Sequence, residues 1–156
     1  NQYYAKLGAD IPFFLFNNNC LVTGIGEKIS FQVFPNYYFL LVKPSFNNST
    51  KEMYKKLNLN FRLSNQIINY EEDKINDNDT GNDFEEVVSN EHKNFHEIYE
   101  FLNNLENVIF TRMTGSGSCI YSAFEKKEHV IEASRKFKIN YIDLWSTIAK
   151  NNIDNN

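Results

Sequence analysis

Residues 108–124 read Val108-Ile-Phe-Thr-Arg-Met-Thr-Gly-Ser-Gly-Ser-Cys-Ile-Tyr-Ser-Ala-Phe124 and contain two strand-like runs joined by a glycine-rich connection. The runs, Val108–Met113 and Cys119–Phe124, are rich in the β-branched and aromatic residues that favour strands. Between them, Thr114-Gly-Ser-Gly-Ser118 offers closely spaced backbone N–H groups and two glycines able to adopt positive φ. Such a segment suits close approach to a phosphate or to another backbone, although a plain hairpin turn is an equal alternative. Because it lacks the Lys-Ser/Thr ending of a Walker loop and precedes a strand, it is not a P-loop.

The sequence around this stretch predicts an α+β domain. In chain order, its predicted elements are a buried strand over Tyr37–Val42, a helix from Ser49 or Thr50 to about Leu57, helices after Asp83 and over Phe95–Leu105, the two runs above, a helix over about Lys126–Phe137 and a strand over Asn140–Trp145. The order strand, helices, strand, strand, helix, strand is that of a ferredoxin-like split βαβ sandwich, with the helices on one sheet face.

The chain before this domain predicts a β-hairpin. Phe13–Phe16 and Cys20–Thr23 are short apolar runs separated by Asn17-Asn-Asn19, and Gly24-Ile-Gly26 then bends the chain into an extended stretch from Lys28. We therefore divide the chain into the end of one domain over residues 1–35, the α+β domain over 36–150 and a polar tail over 151–156. The almost wholly polar stretch Glu71–Thr80 predicts a mobile surface loop.

Composition and charge exclude several classes of protein. The hydrophobic fraction of 42% and the aromatic fraction of 15% indicate a chain that folds. A net charge of -4 provides no basic field, so nucleic acid is not predicted as a partner. The sequence contains no apolar run long enough to predict a membrane span. The two cysteines, Cys20 and Cys119, have no metal-ligand spacing, and His92 and His96 lack a third ligand and the zincin pattern, so no metal site is predicted.

Asp10 is the candidate catalytic residue. It follows two small residues and precedes Ile11-Pro12, where the chain must change direction abruptly. A carboxylate at such a junction can project into a cleft and accept a hydroxyl proton as a general base. An Asp that only ends a helix or caps a turn is the alternative, and local spacing by itself favours that alternative.

Several blocks, in order, resemble the GHMP family of small-molecule kinases, in its 4-diphosphocytidyl-2-C-methyl-D-erythritol kinase branch. They are Leu7-Gly-Ala-Asp-Ile-Pro-Phe-Phe14, Thr23-Gly-Ile-Gly-Glu-Lys28, Lys43-Pro44 with Ser49-Thr50, Asn82-Asp-Phe-Glu85 and Thr111–Cys119. The resemblance implies a GHMP-kinase C-terminal domain preceded by a remnant β-hairpin of the N-terminal domain. It also implies transfer of the γ-phosphate of ATP, normally with Mg²⁺, to the 2-hydroxyl of a cytidine diphosphate derivative.

The resemblance implies a role for each matched residue. Asp10 matches the catalytic aspartate, Ile25 an apolar position lining the cytidine pocket, and Thr50 a hydroxyl position near the substrate phosphates. Gly115, Ser116 and Gly117 match a glycine loop that supports the active-site cleft.

The family's upstream lysine, cytidine-stacking aromatics and ATP-wrapping loop have no counterpart in this sequence. We therefore expect the chain to be roughly the second half of the enzyme, inactive without the N-terminal half, in the bacterial cytoplasm or a plastid-type organelle. Two alternatives stay open: another GHMP kinase, of homoserine or mevalonate type, and a non-catalytic ferredoxin-like binding module.

Overall fold

A computed structural model describes residues 35–57 and 81–151, and before them residues 8, 11–16, 18, 20–24, 26 and 28–31. In chain order, the elements are α1 (Ile11–Phe16), β1 (Cys20–Thr23), β2 (Lys28–Phe31), β3 (Tyr38–Lys43), α2 (Thr50–Lys56), α3 (Phe84–Glu91), α4 (Lys93–Asn103), β4 (Phe110–Met113), β5 (Ile120–Phe124), α5 (Lys127–Asn140) and β6 (Trp145–Lys150). The predicted loop Glu71–Thr80 lies outside the described residues.

The main sheet has four strands in the order β4-β5-β3-β6, and every neighbouring pair is antiparallel. The first strand of the domain, β3, thus lies between β5 and β6, with Leu40 opposite both Ser122 and Ile148. Each helical crossover joins strands that another strand separates, which defines a split βαβ unit. The predicted ferredoxin-like α+β sandwich is confirmed.

One face of the sheet is packed against helices. Alternate residues of β3, Leu40 and Val42, are fully buried there, as expected when side chains point to opposite faces with a period of two. Helix α4 buries Phe95, Ile98 and Leu102 on one stripe, and α5 buries Val130, Ala133 and Phe137. These residues form one continuous core with Ile120 and Phe124 of β5.

The opposite sheet face carries a smaller aromatic cluster. Tyr37 and Phe110 are each 7% exposed, and Phe39 and Tyr121 pack against them. Phe39 and Tyr121 contact each other edge to face, with ring centroids 5.9 Å apart. An RNA-binding sheet of this fold instead stacks bases on exposed aromatic rings. The rings of this cluster are engaged with one another rather than displayed.

Two predicted elements differ from the observed ones. The run Phe13–Phe16 is helical in α1 rather than a strand, and the observed hairpin pairs β1 with β2 around the Gly24 bend. Pro12 lies in the first turn of α1, where a missing N–H costs no hydrogen bond. A run of four apolar residues has no periodicity that could separate helix from strand.

The predicted strand over Asn140–Trp145 was also wrong. Helix α5 continues to Asn140, and β6 begins only at Trp145. The ring of Tyr141 stacks on Phe137, with centroids 5.0 Å apart, so it extends the packing of α5 instead of entering the sheet. Asn151, assigned from sequence to the polar tail, accepts a hydrogen bond from Tyr37 N and donates one to Pro35 O.

Candidate functional site

The candidate site is built around the glycine-rich loop, defined here as Thr114–Ser118, between β4 and β5. The amide of Gly117 donates to Thr114 O at 2.8 Å, and the amide of Thr114 donates to Cys119 O at 2.9 Å, so the loop closes as a tight turn. Gly115 and Gly117 have φ of 47° and 85°, in the left-handed region that favours glycine. The structure therefore confirms the strand–glycine loop–strand arrangement.

The loop leaves several backbone donors unused. Within the described ranges, the N–H groups of Gly115, Ser116 and Ser118 donate to no protein acceptor. Successive backbone N–H groups in such a turn form a concavity that suits an anion. A bound phosphate oxygen is thus a chemically suitable acceptor at this position.

Side chains from two other segments hold the loop in place. Asn48 Nδ2 donates to Ser116 O at 3.1 Å, and the hydroxyls of Thr50 and Ser116 lie 2.7 Å apart. From the far side, Asn82 Nδ2 donates to Gly115 O at 2.7 Å and to Met113 O at 3.0 Å. Two of the sequence-predicted site residues, Thr50 and Ser116, are therefore brought into direct contact.

The remaining predicted site residues are Asp10 and Ile25, and both lie outside the described residues. Gly8, close to Asp10 in the chain, accepts a hydrogen bond from Ile11 N at 3.3 Å, which starts helix α1. The roles predicted for Asp10 and Ile25 stay predictions.

Glu85 also helps to hold the glycine-rich loop in place, through the last residue of β4. Its Oε1 accepts a hydrogen bond of 2.6 Å from the amide of Met113, the last residue of β4. Burial raises the pKa of the Glu85 carboxyl, although the hydrogen bond from Met113 and the charge of Arg112 act in the opposite direction. A half-buried carboxyl thus fixes the point at which the chain leaves the sheet and enters the glycine-rich loop.

Lys43 holds the last residue of the glycine-rich loop, Ser118. Its Nζ donates to Ser118 Oγ at 2.6 Å, to Phe46 O at 2.7 Å and to Asn47 Oδ1 at 2.8 Å. Burial raises the pKa of the neighbouring Cys119 thiol, and the Lys43 charge opposes this effect. The ammonium group thus lies at the base of the loop.

Sequence reasoning assigned no role to Lys43, Asn48, Asn82 or Glu85. Lys43, Asn82 and Glu85 do belong to the blocks that carry the family resemblance, which was the available signal. Their contacts with the loop or with Met113 just before it span up to 75 positions along the chain and leave no periodic pattern.

The described part of the chain contains no cluster of three or more His, Cys, Asp or Glu side chains that could hold a metal ion. Within the same ranges, no helix is both long and apolar enough to cross a membrane. His96 is exposed and its Nδ1 lies 3.2 Å from Ser89 Oγ, while His92 stacks on Phe46.

Comparisons with known proteins agree with this architecture. The family model described as GHMP kinases C terminal matches residues 70–143. The chain is 35% identical over 135 residues to a 4-diphosphocytidyl-2-C-methyl-D-erythritol kinase of Syntrophus aciditrophicus, covering 83% of this chain and 47% of that protein. It is 31% identical over 141 residues to a protein of the same name from Francisella tularensis, covering 90% and 48%.

A solved structure titled as a 4-(cytidine 5'-diphospho)-2C-methyl-D-erythritol kinase shares the fold, with a TM-score of 0.68 and 20% identity. It is matched over 94% of this chain and 53% of that chain. The chain spans about half the length of the curated relatives it matches. The glycine-rich loop and its sheet, the family model and the named relatives agree that this chain contains the C-terminal domain of the GHMP kinases.

Proposed function

We propose that the chain forms the C-terminal part of an ATP-dependent kinase that phosphorylates the 2-hydroxyl of 4-diphosphocytidyl-2-C-methyl-D-erythritol, a precursor in non-mevalonate isoprenoid synthesis. The observation that carries the proposal is that side chains from two other segments hold the glycine-rich loop in place. In this loop, Ser116 contacts Thr50 of α2 beside backbone N–H groups that donate to no described acceptor. The names of the relatives support this acceptor over those of other GHMP kinases.

The loop's contribution is positioning and charge stabilisation. Phosphoryl transfer demands little covalent chemistry from the protein, so fixed donors aimed at phosphate oxygens account for much of the catalysis. The amides of Gly115 and Ser116 supply such donors. The Thr50 hydroxyl, held by Ser116, orients a substrate phosphate beside them. Because these donors are held by the fold, they need little reorganisation when charge develops.

Asp10 is the catalytic base in this proposal. It accepts the proton of the attacking 2-hydroxyl or orients that oxygen toward the phosphorus atom. Ile25, between Gly24 and Gly26, lines the cytidine pocket with an apolar surface. ATP would supply the phosphoryl group, and the accompanying Mg²⁺ would neutralise part of the phosphate charge.

The chain by itself is inactive in this proposal, because the groups that wrap ATP belong to an upstream half of the same enzyme. Exposed apolar side chains before residue 35 support such a partner: Phe14 is 73% exposed, Leu15 61% and Phe31 63%. Exposed large apolar side chains offer a surface that another part of a protein can cover. The enzyme works in the bacterial cytoplasm or in a plastid-type organelle.

The decisive experiment joins the chain to its upstream segment and measures ATP consumption with the cytidyl alcohol. Asp10→Asn should lower kcat by at least about a hundredfold, with little change in the binding of the acceptor, because the substitution removes only a proton acceptor. The matched control is Asp83→Asn, since Asp83 is exposed and its side chain makes no capping bond. Unchanged turnover of the Asp10→Asn enzyme would disprove its role as the base.

The same assay tests the acceptor. Homoserine and mevalonate are supplied in parallel with the cytidyl alcohol, at matched concentrations. Preferential phosphorylation of homoserine or mevalonate would replace the proposed substrate with that of another GHMP kinase. Turnover by the 156-residue chain alone would contradict the need for an upstream half.

A further inference from the structure

Lys43 is an unusual lysine because its ammonium group is held by neutral oxygens. Besides Ser118 Oγ, Phe46 O and Asn47 Oδ1, it lies 3.4 Å from Pro44 O. Among the residues that the structure describes, no carboxylate lies within ion-pair distance of its Nζ. The three short hydrogen bonds use all three donors of the ammonium group. Within the described residues, neutral oxygens alone surround the charge, and their hydrogen bonds fix its geometry.

The partners of Lys43 belong to two different segments. Phe46 and Asn47 lie in the connection between β3 and α2, whereas Ser118 ends the glycine-rich loop. Ser118 is only 1% exposed, and its hydroxyl both accepts from Lys43 and donates to Phe46 O. The two segments are thus joined by a small, partly buried network in which each hydrogen bond polarises the next.

The same two segments meet a second time at the proposed ligand side. There, Asn48 and Thr50 bind Ser116. The Lys43–Ser118 contact lies beneath this point, two residues further along the glycine-rich loop. A displacement at Lys43 would therefore be transmitted to both Thr50 and the backbone donors of the loop.

We propose that Lys43 is a positioning residue that fastens the connection before α2 to the glycine-rich loop and thereby sets the spacing between Thr50 and the loop's backbone donors. This inference rests on the proposed function for its catalytic consequence. Its structural part is independent of any activity. Misplacement of binding groups by about 1 Å is enough to lower turnover by about a hundredfold.

The structural test measures amide hydrogen exchange by NMR in the chain carrying Lys43→Met. The reporters are the bonded amides of Thr114 and Gly117 in the loop and of Met53 at the start of α2. Their exchange should accelerate about tenfold, as expected when a charge-assisted hydrogen bond is lost, while the amides of β3 and β5 keep their rates. Lys43→Arg should restore slow exchange, because a guanidinium can donate to the same oxygens.

Lys55→Met is the matched control, because Lys55 is exposed and its side chain makes no hydrogen bond or ion pair with the other described residues. Unchanged exchange at Thr114, Gly117 and Met53 in Lys43→Met would overturn the inference, and so would equal acceleration throughout the sheet. Should Lys43→Met fail to fold, Ser118→Ala removes the partner on the loop and must reproduce the local acceleration.

In the enzyme joined to its upstream segment, Lys43→Met should lower kcat and raise KM, and Lys43→Arg should recover most of both. Faster amide exchange at Thr114, Gly117 and Met53 without any change in kcat or KM would refute the positioning role of Lys43. It would leave the proposed kinase function intact. If the unsubstituted enzyme phosphorylates none of the acceptors, the proposed function fails, and the exchange data still decide whether Lys43 orders the two loops.

Discussion

At the scale of single residues, the glycine-rich loop depends on one backbone position more than on any other. A Cβ atom on Gly117 would lie 2.6 Å from Met113 Sδ and 2.9 Å from Asn48 Nδ2. Its φ of 85° is also unfavourable for a residue with a side chain. The tip of Met113 could move away from the added Cβ. The Asn48 amide would also have to move, and it would then lose its hydrogen bond to Ser116 O.

Gly117→Ala should therefore lower the free energy of unfolding by about 2 kcal/mol, the cost of a left-handed conformation plus the loss of packing. Chemical denaturation followed by circular dichroism measures the change. Gly81→Ala is the control, since a Cβ there would have no atom within 4 Å. Equal stability of the two variants would mean that the loop accommodates a side chain at residue 117.

Glu85 makes stability depend on pH. Its folded-state pKa is raised above the usual 4.5, so burial favours the protonated carboxyl. Stability from this group is fully present below the unfolded pKa and is lost as the pH rises through the folded pKa. The side-chain carbonyl oxygen of a glutamine can still accept a hydrogen bond from Met113 N, whereas the amide group as a whole cannot ionise.

Glu85→Gln should therefore match the unsubstituted chain near pH 4 and become the more stable of the two as the pH approaches about 7. Urea denaturation across this range tests the sign of the difference. Glu86→Gln, at the exposed neighbouring position of α3, controls for the loss of a charge. A Glu85→Gln variant that loses stability relative to the unsubstituted chain as the pH rises would contradict a raised pKa of Glu85 in the folded state.

At the scale of elements, Phe137 links helix α5 to helix α4 over the core face of the sheet. Phe137 is fully buried and contacts Phe101 of α4, with ring centroids 6.2 Å apart, as well as Tyr141. It thus joins the two helices that cover the same sheet face. Aromatic side chains contribute most of the buried area in such cores.

Phe137→Ala should lower the free energy of unfolding by about 3–5 kcal/mol, through lost burial and a cavity between α4 and α5. Ile139, two residues later on the same helix, is 81% exposed and supplies the control Ile139→Ala. We expect that control to change stability by no more than about 0.5 kcal/mol. Thermal denaturation of both variants decides, and a similar loss for both would argue against this packing.

At the scale of the whole molecule, several large apolar side chains before the α+β domain are exposed. Four of the six residues of α1 are large hydrophobics that are exposed in the described part of the chain: Phe13, Phe14, Leu15 and Phe16. Phe31 of β2 is exposed as well. A surface of this kind is costly in water unless another part of the protein covers it. The proposed upstream half is the candidate for that role.

Replacing Phe14 and Leu15 together by serine should weaken binding of a separately expressed upstream segment by at least about tenfold, since two apolar side chains lose their burial. Calorimetry on the two purified pieces measures the change. Ile142→Ser, at a position 82% exposed beyond α5, is the control on the other end of the chain. Equal affinity of all variants would exclude α1 from the contact.

Particular residues show how far the sequence could predict the structure. The runs on either side of Thr114–Ser118 were correctly predicted as strands, because β-branched and aromatic residues recur there over enough positions. Phe13–Phe16 was predicted wrongly, since four apolar residues fit a helix as well as a strand. The strand assigned to Asn140–Trp145 was displaced because Tyr141 stacks on Phe137, a contact that periodicity does not reveal.

The sequence by itself determined the order of the elements and hence the ferredoxin-like sandwich, because local propensity and hydrophobic period are written along the chain. It also identified the glycine-rich loop, since only glycine readily adopts the backbone that the turn requires. Tertiary structure alone decided what holds that loop. Lys43 meets Ser118 across 75 positions and Asn82 meets Gly115 across 33, and hydrogen bonds between such distant residues form only once the sheet and helices have brought them together.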